Sequence, residues 1–268
     1  MESGASGPWD AEAPAPRIGL SRNFLLLLAA WLALGAGLVV APKVAGVLAF
    51  LFVAVGWVVS VCVHEFGHAV VAYWAGDESV ARKGYLNLDP AKYVDLQVTI
   101  VLPLIALALG GIGFPGAAVY LRPDLMRSRL GRSLSSLAGP AMTGAVLLVL
   151  SLALRVIPVE TAPGLYCAMA FLAVLQATAL LLNLLPVPGL DGYGVLRPFL
   201  PTSLQKSLRP FERASTVLLM IALFFVPGVS GLLFDGAFAI TSALGVPTEA
   251  AAAGDQLFTF WKSLAPTG

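Results

Sequence analysis

The sequence predicts an all-α polytopic membrane protein with about five to six transmembrane helices and a re-entrant segment over 97–119. Of the 268 residues, 58% are apolar and only 12% are charged, whereas soluble domains average about 45–50% apolar and about 25% charged residues. So few charges cannot cover the surface of a water-soluble chain of this length. Long uncharged runs are the second observation behind this prediction, and helix-breaking residues within one of those runs are the third.

Apolar runs of roughly membrane-spanning length recur along the chain, since a spanning helix needs about 20 such residues. They cover 24–41, 45–75, 97–119, 134–157, 165–187, 214–227 and 229–246. The first run follows a tail rich in Ala, Pro and Gly, a composition typical of disorder. We therefore predict a disordered cytoplasmic tail over 1–20, a membrane domain over 21–246, and a C-terminal tail over 247–268 that forms an interfacial helix.

The run at 97–119 has two interpretations, a kinked spanning helix or a re-entrant hairpin. It holds six glycines and prolines between positions 103 and 116, which a straight helix tolerates poorly. If the N-terminus is cytoplasmic, the re-entrant form places 13 of the 16 Lys and Arg residues on the cytoplasmic side, in accord with the positive-inside rule. The charges favour a re-entrant segment in a multi-pass protein of the cell membrane whose N-terminus is cytoplasmic.

The sequence His-Glu-Phe-Gly-His at 64–68 is the strongest chemical signal. Residues four apart share one face of a helix, so His64 and His68 can bind one metal ion. Glu65 is rotated by about 100° from His64, and it can act on a metal-bound water instead of the metal. The alternative, that the histidines are hydrogen-bonded core residues, is disfavoured because the chain has only two histidines. Ionisable groups are also costly inside a membrane.

A catalytic zinc ion needs a third protein ligand and an open position for water. Asp191 is the leading candidate, because prolines at 186 and 188 end the preceding run and Gly192 permits a tight turn. The re-entrant topology brings Asp191 to the same end of the membrane as the histidines. Four other carboxylates from the loop after the motif stay open as alternatives: Asp77, Glu78, Asp89 and Asp95.

Two cysteines and the net charge exclude other classes of site and partner. Cys62 and Cys167 lie in apolar runs, where a free thiol behaves as a small hydrophobe, so we predict core packing and no disulfide framework. The net charge is only +1, and no basic patch with interleaved aromatic residues is present. Nucleic acid is therefore not an expected partner, and the sequence carries no signal for an oligomeric state.

The ordered motifs resemble the site-2 protease family of intramembrane zinc metalloproteases, in its compact bacterial form without a PDZ domain. The resemblance covers roughly 45–200 and rests on the histidine motif, on the Asn-Leu-Leu-Pro-Val-Pro-Gly-Leu-Asp-Gly stretch over 183–192, and on the stretches at 85–95, 110–116 and 138–140. It implies an all-helical fold and a zinc metalloendopeptidase that cleaves membrane-anchored proteins in or near a transmembrane segment, in regulated intramembrane proteolysis.

Carried over residue by residue, the resemblance implies one zinc ion per chain, held by His64, His68 and Asp191. It implies that Glu65 is the catalytic acid and base, and that Asn183 positions the substrate. Two positions depart from the family pattern. Thr143 stands where Asn is frequent, and Leu96 stands where Pro is frequent; neither is expected to touch the metal chemistry.

Two other functions fit the same residues. A pseudoprotease would bind membrane helices without cleaving them, and the intact Glu65 argues against that function. A metal-handling membrane protein or transporter would carry further His, Asp or Glu residues along several helices, whereas the apolar runs of this chain are nearly free of charge. The expected partners are therefore a membrane-anchored protein substrate and the lipid bilayer.

Overall fold

The computed structural model describes residues 18–93 and 119–263. Within these ranges the chain forms helices and short 3-10 turns, and it contains no strand. The helices are α1 (Arg22–Val40), α2 (Ala45–Ala75), α3 (Ser79–Arg82), α4 (Pro90–Tyr93), α5 (Arg129–Leu154), α6 (Pro163–Leu184), α7 (Asp191–Leu196), α8 (Thr202–Leu208), α9 (Glu212–Phe225), α10 (Val229–Ala243) and α11 (Thr248–Phe258).

Four of the described helices are long and apolar enough to cross a membrane: α1, α2 with the 3-10 turn before it, α5 and α6. Helices α9 and α10 pass the same test only as a pair, and they are bent by 89° at the break between them. The described ranges thus contain four candidate spans, or five if the bent pair counts as one. The prediction of an all-α polytopic membrane protein is confirmed.

Helix α6 is the centre of the bundle. Every residue from Ala168 to Ala179 is buried, because α1, α2, α5, α10 and α11 all pack against this helix. Gly254 of α11 permits close packing, because a Cβ there would meet the backbone of Cys167 in α6. The predicted C-terminal segment therefore contains a helix, α11, whose inner face is buried against α6 and α2.

The beginning of α1 and the end of α2 lie at the same end of the bundle. Ser21 N donates a hydrogen bond to Asn87 O at 2.8 Å, and Asn23 Nδ2 donates to Asp89 Oδ1 at 3.0 Å. Both bonds tie the start of α1 to the loop that follows α2. Most of the tail predicted over 1–20 lies outside the described residues.

The described chain also leaves and resumes at that end of the bundle. Tyr93 and Val119 pack in the same apolar cluster as the C-terminal half of α2. Arg122 N donates to Asp77 Oδ2 at 2.7 Å, two residues beyond the end of α2. The predicted re-entrant segment over 97–119 itself lies outside the described residues, apart from Val119.

Candidate metal centre

Helix α2 carries the histidine motif without interruption. His64, Glu65 and His68 are 8%, 3% and 7% exposed, so all three lie inside the bundle. The Nε2 atoms of His64 and His68 are 3.0 Å apart. The four-residue spacing thus brings the two imidazoles to one point, as helix geometry predicts.

Asp191 meets the two imidazoles from the other side. Its Oδ2 lies 3.2 Å from His64 Nε2, and its Oδ1 lies 3.3 Å from His68 Nε2. Among the described residues, these three form the only cluster of three or more His, Cys, Asp or Glu side chains that could hold a metal ion.

Two close contacts hold Asp191 at this position, at the start of α7. A Cβ on Gly192 would lie 2.5 Å from the carbonyl carbon of Leu184, so only glycine lets α7 fold back onto the end of α6. On the other side, Ser133 Oγ of α5 donates to Val195 O at 2.9 Å. The loop after α6 is thereby turned back toward the histidines.

Helix α5 sets the tautomer of both imidazoles. Ser135 O lies 2.7 Å from His68 Nδ1, and a carbonyl can only accept, so Nδ1 carries the proton. Thr143 Oγ1 lies 2.8 Å from His64 Nδ1, while the same hydroxyl donates to Gly139 O at 3.4 Å. In the form of His64 that binds metal through Nε2, Nδ1 carries the proton, and the Thr143 hydroxyl accepts the hydrogen bond from it. Both Nε2 atoms are left with a lone pair directed at the cluster, which is the form that binds metal.

The geometry fits one zinc ion. Zinc bonds of about 2.0–2.2 Å place neighbouring ligand atoms of a tetrahedron roughly 3.3–3.6 Å apart, and the atoms here are 3.0–3.3 Å apart. Two lone pairs and a carboxylate repel each other at this range, so a cation between them stabilises the arrangement. Three protein ligands are also what catalytic zinc sites use, with a fourth position left for water.

The expectation that Thr143 does not touch the metal chemistry is wrong, because its hydroxyl contacts His64 directly. Ser135 and Gly139 were missed as well. Positions 135, 139 and 143 recur every four residues and share one face of α5, a spacing that the sequence does display. Leu96, the other departure from the family pattern, lies outside the described residues.

Glu65 lies beside the cluster and is not part of it. Its Oε2 accepts a hydrogen bond from Val119 N at 2.8 Å. That contact links α2 to the chain that resumes after the undescribed segment. The carboxylate is thus held by a backbone amide.

The three alternative ligands that the structure describes do not join the cluster. Asp77 is fully buried, and its Oδ1 accepts hydrogen bonds from residue 79. Asp89 accepts from the backbone two residues later, and Glu78 is exposed. Asp95 lies outside the described residues. Among the described carboxylates, only Asp191 approaches both histidines.

Asn183 and the two cysteines are the remaining residues that the sequence analysis singled out. Asn183 is 4% exposed in the last turn of α6, eight residues before Asp191. Cys62 and Cys167 are free thiols, and Cys62 is fully buried in the apolar cluster along α2. Cys62 is therefore a core residue, as predicted.

Comparison with known proteins gives matches to curated relatives. No protein-family model and no solved structure matches the chain significantly. The chain is 45% identical over 233 residues to the protein named "Putative zinc metalloprotease Rip2" of Mycobacterium tuberculosis H37Rv, covering 87% of each chain. It is 43% identical over 215 residues to the Mycolicibacterium smegmatis protein of the same name, covering 80% of this chain and 82% of the relative. It is 31% identical to "Putative zinc metalloprotease YwhC" of Bacillus subtilis over 177 residues, covering 63% of this chain and 78% of that relative.

The membrane-length helices, the His-His-Asp cluster and these relatives together define a membrane zinc metalloprotease. The relatives and the cluster both suit one zinc ion. The chain belongs to the site-2 protease family.

Proposed function

We propose that this chain is an intramembrane zinc metalloendopeptidase. It hydrolyses a peptide bond in or near a transmembrane segment of a membrane-anchored protein, as a step of regulated intramembrane proteolysis. In this proposal His64, His68 and Asp191 hold the zinc ion, Glu65 is the catalytic acid and base, and Asn183 positions the substrate. The catalytic unit spans 21–246, between a tail over 1–20 and a C-terminal segment over 247–268.

The observation that carries the proposal is the burial of both histidines among helices that are long and apolar enough to cross a membrane. His64 precedes the end of α2 at Ala75 by 11 residues, which is roughly 16 Å along a helix axis at a rise of about 1.5 Å per residue. The hydrocarbon core of a bilayer is about 30 Å thick. A substrate peptide bond must come between these candidate spans to reach the cluster, which supports a membrane segment as the substrate.

The residues of the chain have distinct tasks in the reaction. Zinc, when bound, polarises a water molecule and the scissile carbonyl. Glu65 takes a proton from the attacking water and returns it to the leaving amine. The Val119 amide holds the Glu65 carboxylate through Oε2, and we assign proton transfer to Oε1. Asn183 supplies an amide to the substrate backbone, which must leave its helix because helical carbonyls are otherwise bonded.

We place the loop after α2, the chain over 119–132 and the beginning of α1 on the cytoplasmic side. The hydrogen bonds that join these segments at one end of the bundle support a common side. Most of the basic residues lie in these segments and in 197–213, and cytoplasmic loops carry the excess of Lys and Arg.

The test combines metal content with cleavage. Purified wild-type protein should carry one zinc per chain and should cleave a fusion protein that contains one transmembrane helix. His64→Ala and His68→Ala should each lose the zinc. Glu65→Gln should keep zinc but lose cleavage by about 10²–10⁴-fold, since an amide cannot accept the proton. Gln is the matched replacement because its carbonyl can still accept from Val119 N. Cleavage at the wild-type rate by Glu65→Gln would exclude Glu65 as the base.

A further inference from the structure

Gly139 of α5 directly faces the metal-binding atoms of both histidines. A Cβ built on this residue would lie 2.6 Å from His64 Nε2 and 2.6 Å from His68 Cε1, and closer still to His68 Nε2. Zinc itself lies about 2.0–2.1 Å from each histidine nitrogen it binds. A methyl group on residue 139 would therefore overlap both imidazole rings beside the atoms that bind the metal, and the rings would have to move.

Gly139 approaches side chains of α2 and not its backbone, which distinguishes it from the glycine at 67. Gly67 of α2 permits the close approach of α2 and α5, because a Cβ there would meet the backbone of Ala138 and the side chain of Met142. The three nearest atoms to a Cβ on Gly139, in contrast, all belong to the two imidazoles. Five residues further along α5, a Cβ on Gly144 would make one ordinary contact at 3.9 Å.

Thr143 completes the same face of α5, one turn after Gly139. It is 4% exposed, and its hydroxyl joins His64 Nδ1 to Gly139 O. His68 has an equivalent partner one turn before Gly139, but that partner is the backbone carbonyl of Ser135. The orientation of His68 is therefore independent of the side chain at 135, whereas the orientation of His64 depends on the side chain at 143.

We propose that Gly139 and Thr143 are positioning residues of the metal centre. Gly139 keeps the volume beside the two Nε2 atoms free, and Thr143 holds His64 in the tautomer whose Nε2 can bind. The inference rests on the proposed zinc site formed by His64, His68 and Asp191. It adds a third helix, α5, to the metal centre formed by α2 and α7, although α5 contributes none of the three ligands.

The experiment measures zinc affinity of the full-length protein in detergent, by competition with a chelator, and does not depend on activity. Gly139→Ala should lose zinc binding, while its metal-free form still folds because an imidazole can swing away from the methyl. Gly144→Ala is the matched control on α5, and it should bind zinc like the wild type. Wild-type zinc affinity in Gly139→Ala would overturn the role of Gly139.

Thr143 provides a second arm that remains decisive if Gly139→Ala does not fold. Thr143→Val keeps the shape but removes the hydroxyl, and it should weaken zinc binding by about 10–100-fold, as loss of an outer partner of a histidine ligand does. Thr143→Ser restores a hydroxyl and should restore affinity. Equal affinities of the Val and Ser variants would overturn the role of Thr143.

Failure of this inference is distinguishable from failure of the proposed function. If wild-type protein binds zinc and His64→Ala does not, the zinc site holds, and only the variants of α5 decide whether Gly139 and Thr143 support it. If wild-type protein binds no zinc, or if His64→Ala binds it unchanged, the zinc site itself is refuted and the inference falls with it.

Discussion

Replacing Gly192 by alanine should detach Asp191 from the metal centre without unfolding the bundle. Gly192 follows Asp191 at the start of α7, where a Cβ would lie 2.5 Å from the carbonyl carbon of Leu184 and 2.6 Å from Leu185 O. These are backbone atoms at the end of α6, the most buried helix of the protein. The neighbours cannot turn aside as a flexible side chain would, so α7 itself has to move.

The size of that movement follows from the contact distances. Ordinary contact begins at 3.4 Å, so α7 must shift by at least about 0.9 Å at residue 192. A similar shift of Asp191 away from the histidines would lengthen the present 3.2–3.3 Å separations to about 4 Å. Metal-ligand distances tolerate only about ±0.2 Å, so the carboxylate would no longer bind with full strength. A misplacement of about 1 Å costs roughly 100-fold in rate.

The assay compares zinc content, cleavage of a transmembrane fusion and thermal unfolding in wild type, Gly192→Ala and Gly231→Ala. Gly231 lies in α10 with nothing within 4 Å of a built Cβ, so its alanine variant controls for the substitution itself. We expect weakened zinc binding and at least about 100-fold slower cleavage for Gly192→Ala alone. Wild-type zinc affinity and cleavage in a folded Gly192→Ala protein would refute the argument that this close approach positions Asp191.

Two further predictions concern the loop at the end of α2. Single cysteines at Lys92 and Arg127, in a background without the two native cysteines, should react with a membrane-impermeant reagent from the same side of the membrane; opposite sides would contradict the shared end of the bundle. Asp77→Ala should lower the free energy of unfolding by about 1–3 kcal/mol, because the buried amide of Ser79 and the partly buried amide of Arg122 lose their acceptor. The variant should still bind one zinc per chain. Loss of zinc without loss of stability would reinstate Asp77 as a ligand.

The membrane helices could be predicted from the sequence because hydrophobicity is a local property of each run. The run over 45–75 has the bounds of α2 itself. Helix α5, in contrast, begins at Arg129 and not at 134. Ser128 caps this helix, because its hydroxyl oxygen accepts a hydrogen bond from Gly131 N. The first turn lies at the end of the bundle, where it can carry charged side chains. The length of an apolar run does not reveal such a cap, so the sequence prediction placed the start of this helix too late.

The bend between α9 and α10 has a similar explanation. The sequence shows two apolar runs separated by a proline and a glycine at 227 and 228. The break and the left-handed conformation of Gly228 are local features, which the sequence indicates. The 89° angle between the helices cannot be predicted from the sequence, because it depends on how each half packs against α6 and its neighbours.

For the candidate site, the sequence alone determined the pair of histidines and the place of Glu65 beside them. Those relations lie within one helix, where a spacing of four residues sets the geometry. The approach of Asp191 to within 3.3 Å of both imidazoles joins residues more than 120 positions apart. The contacts of Thr143 and Ser135 with the histidines bridge 79 and 67 positions. Only the packing of α2, α5, α6 and α7 decides these, because no local rule relates the orientation of side chains on separate helices.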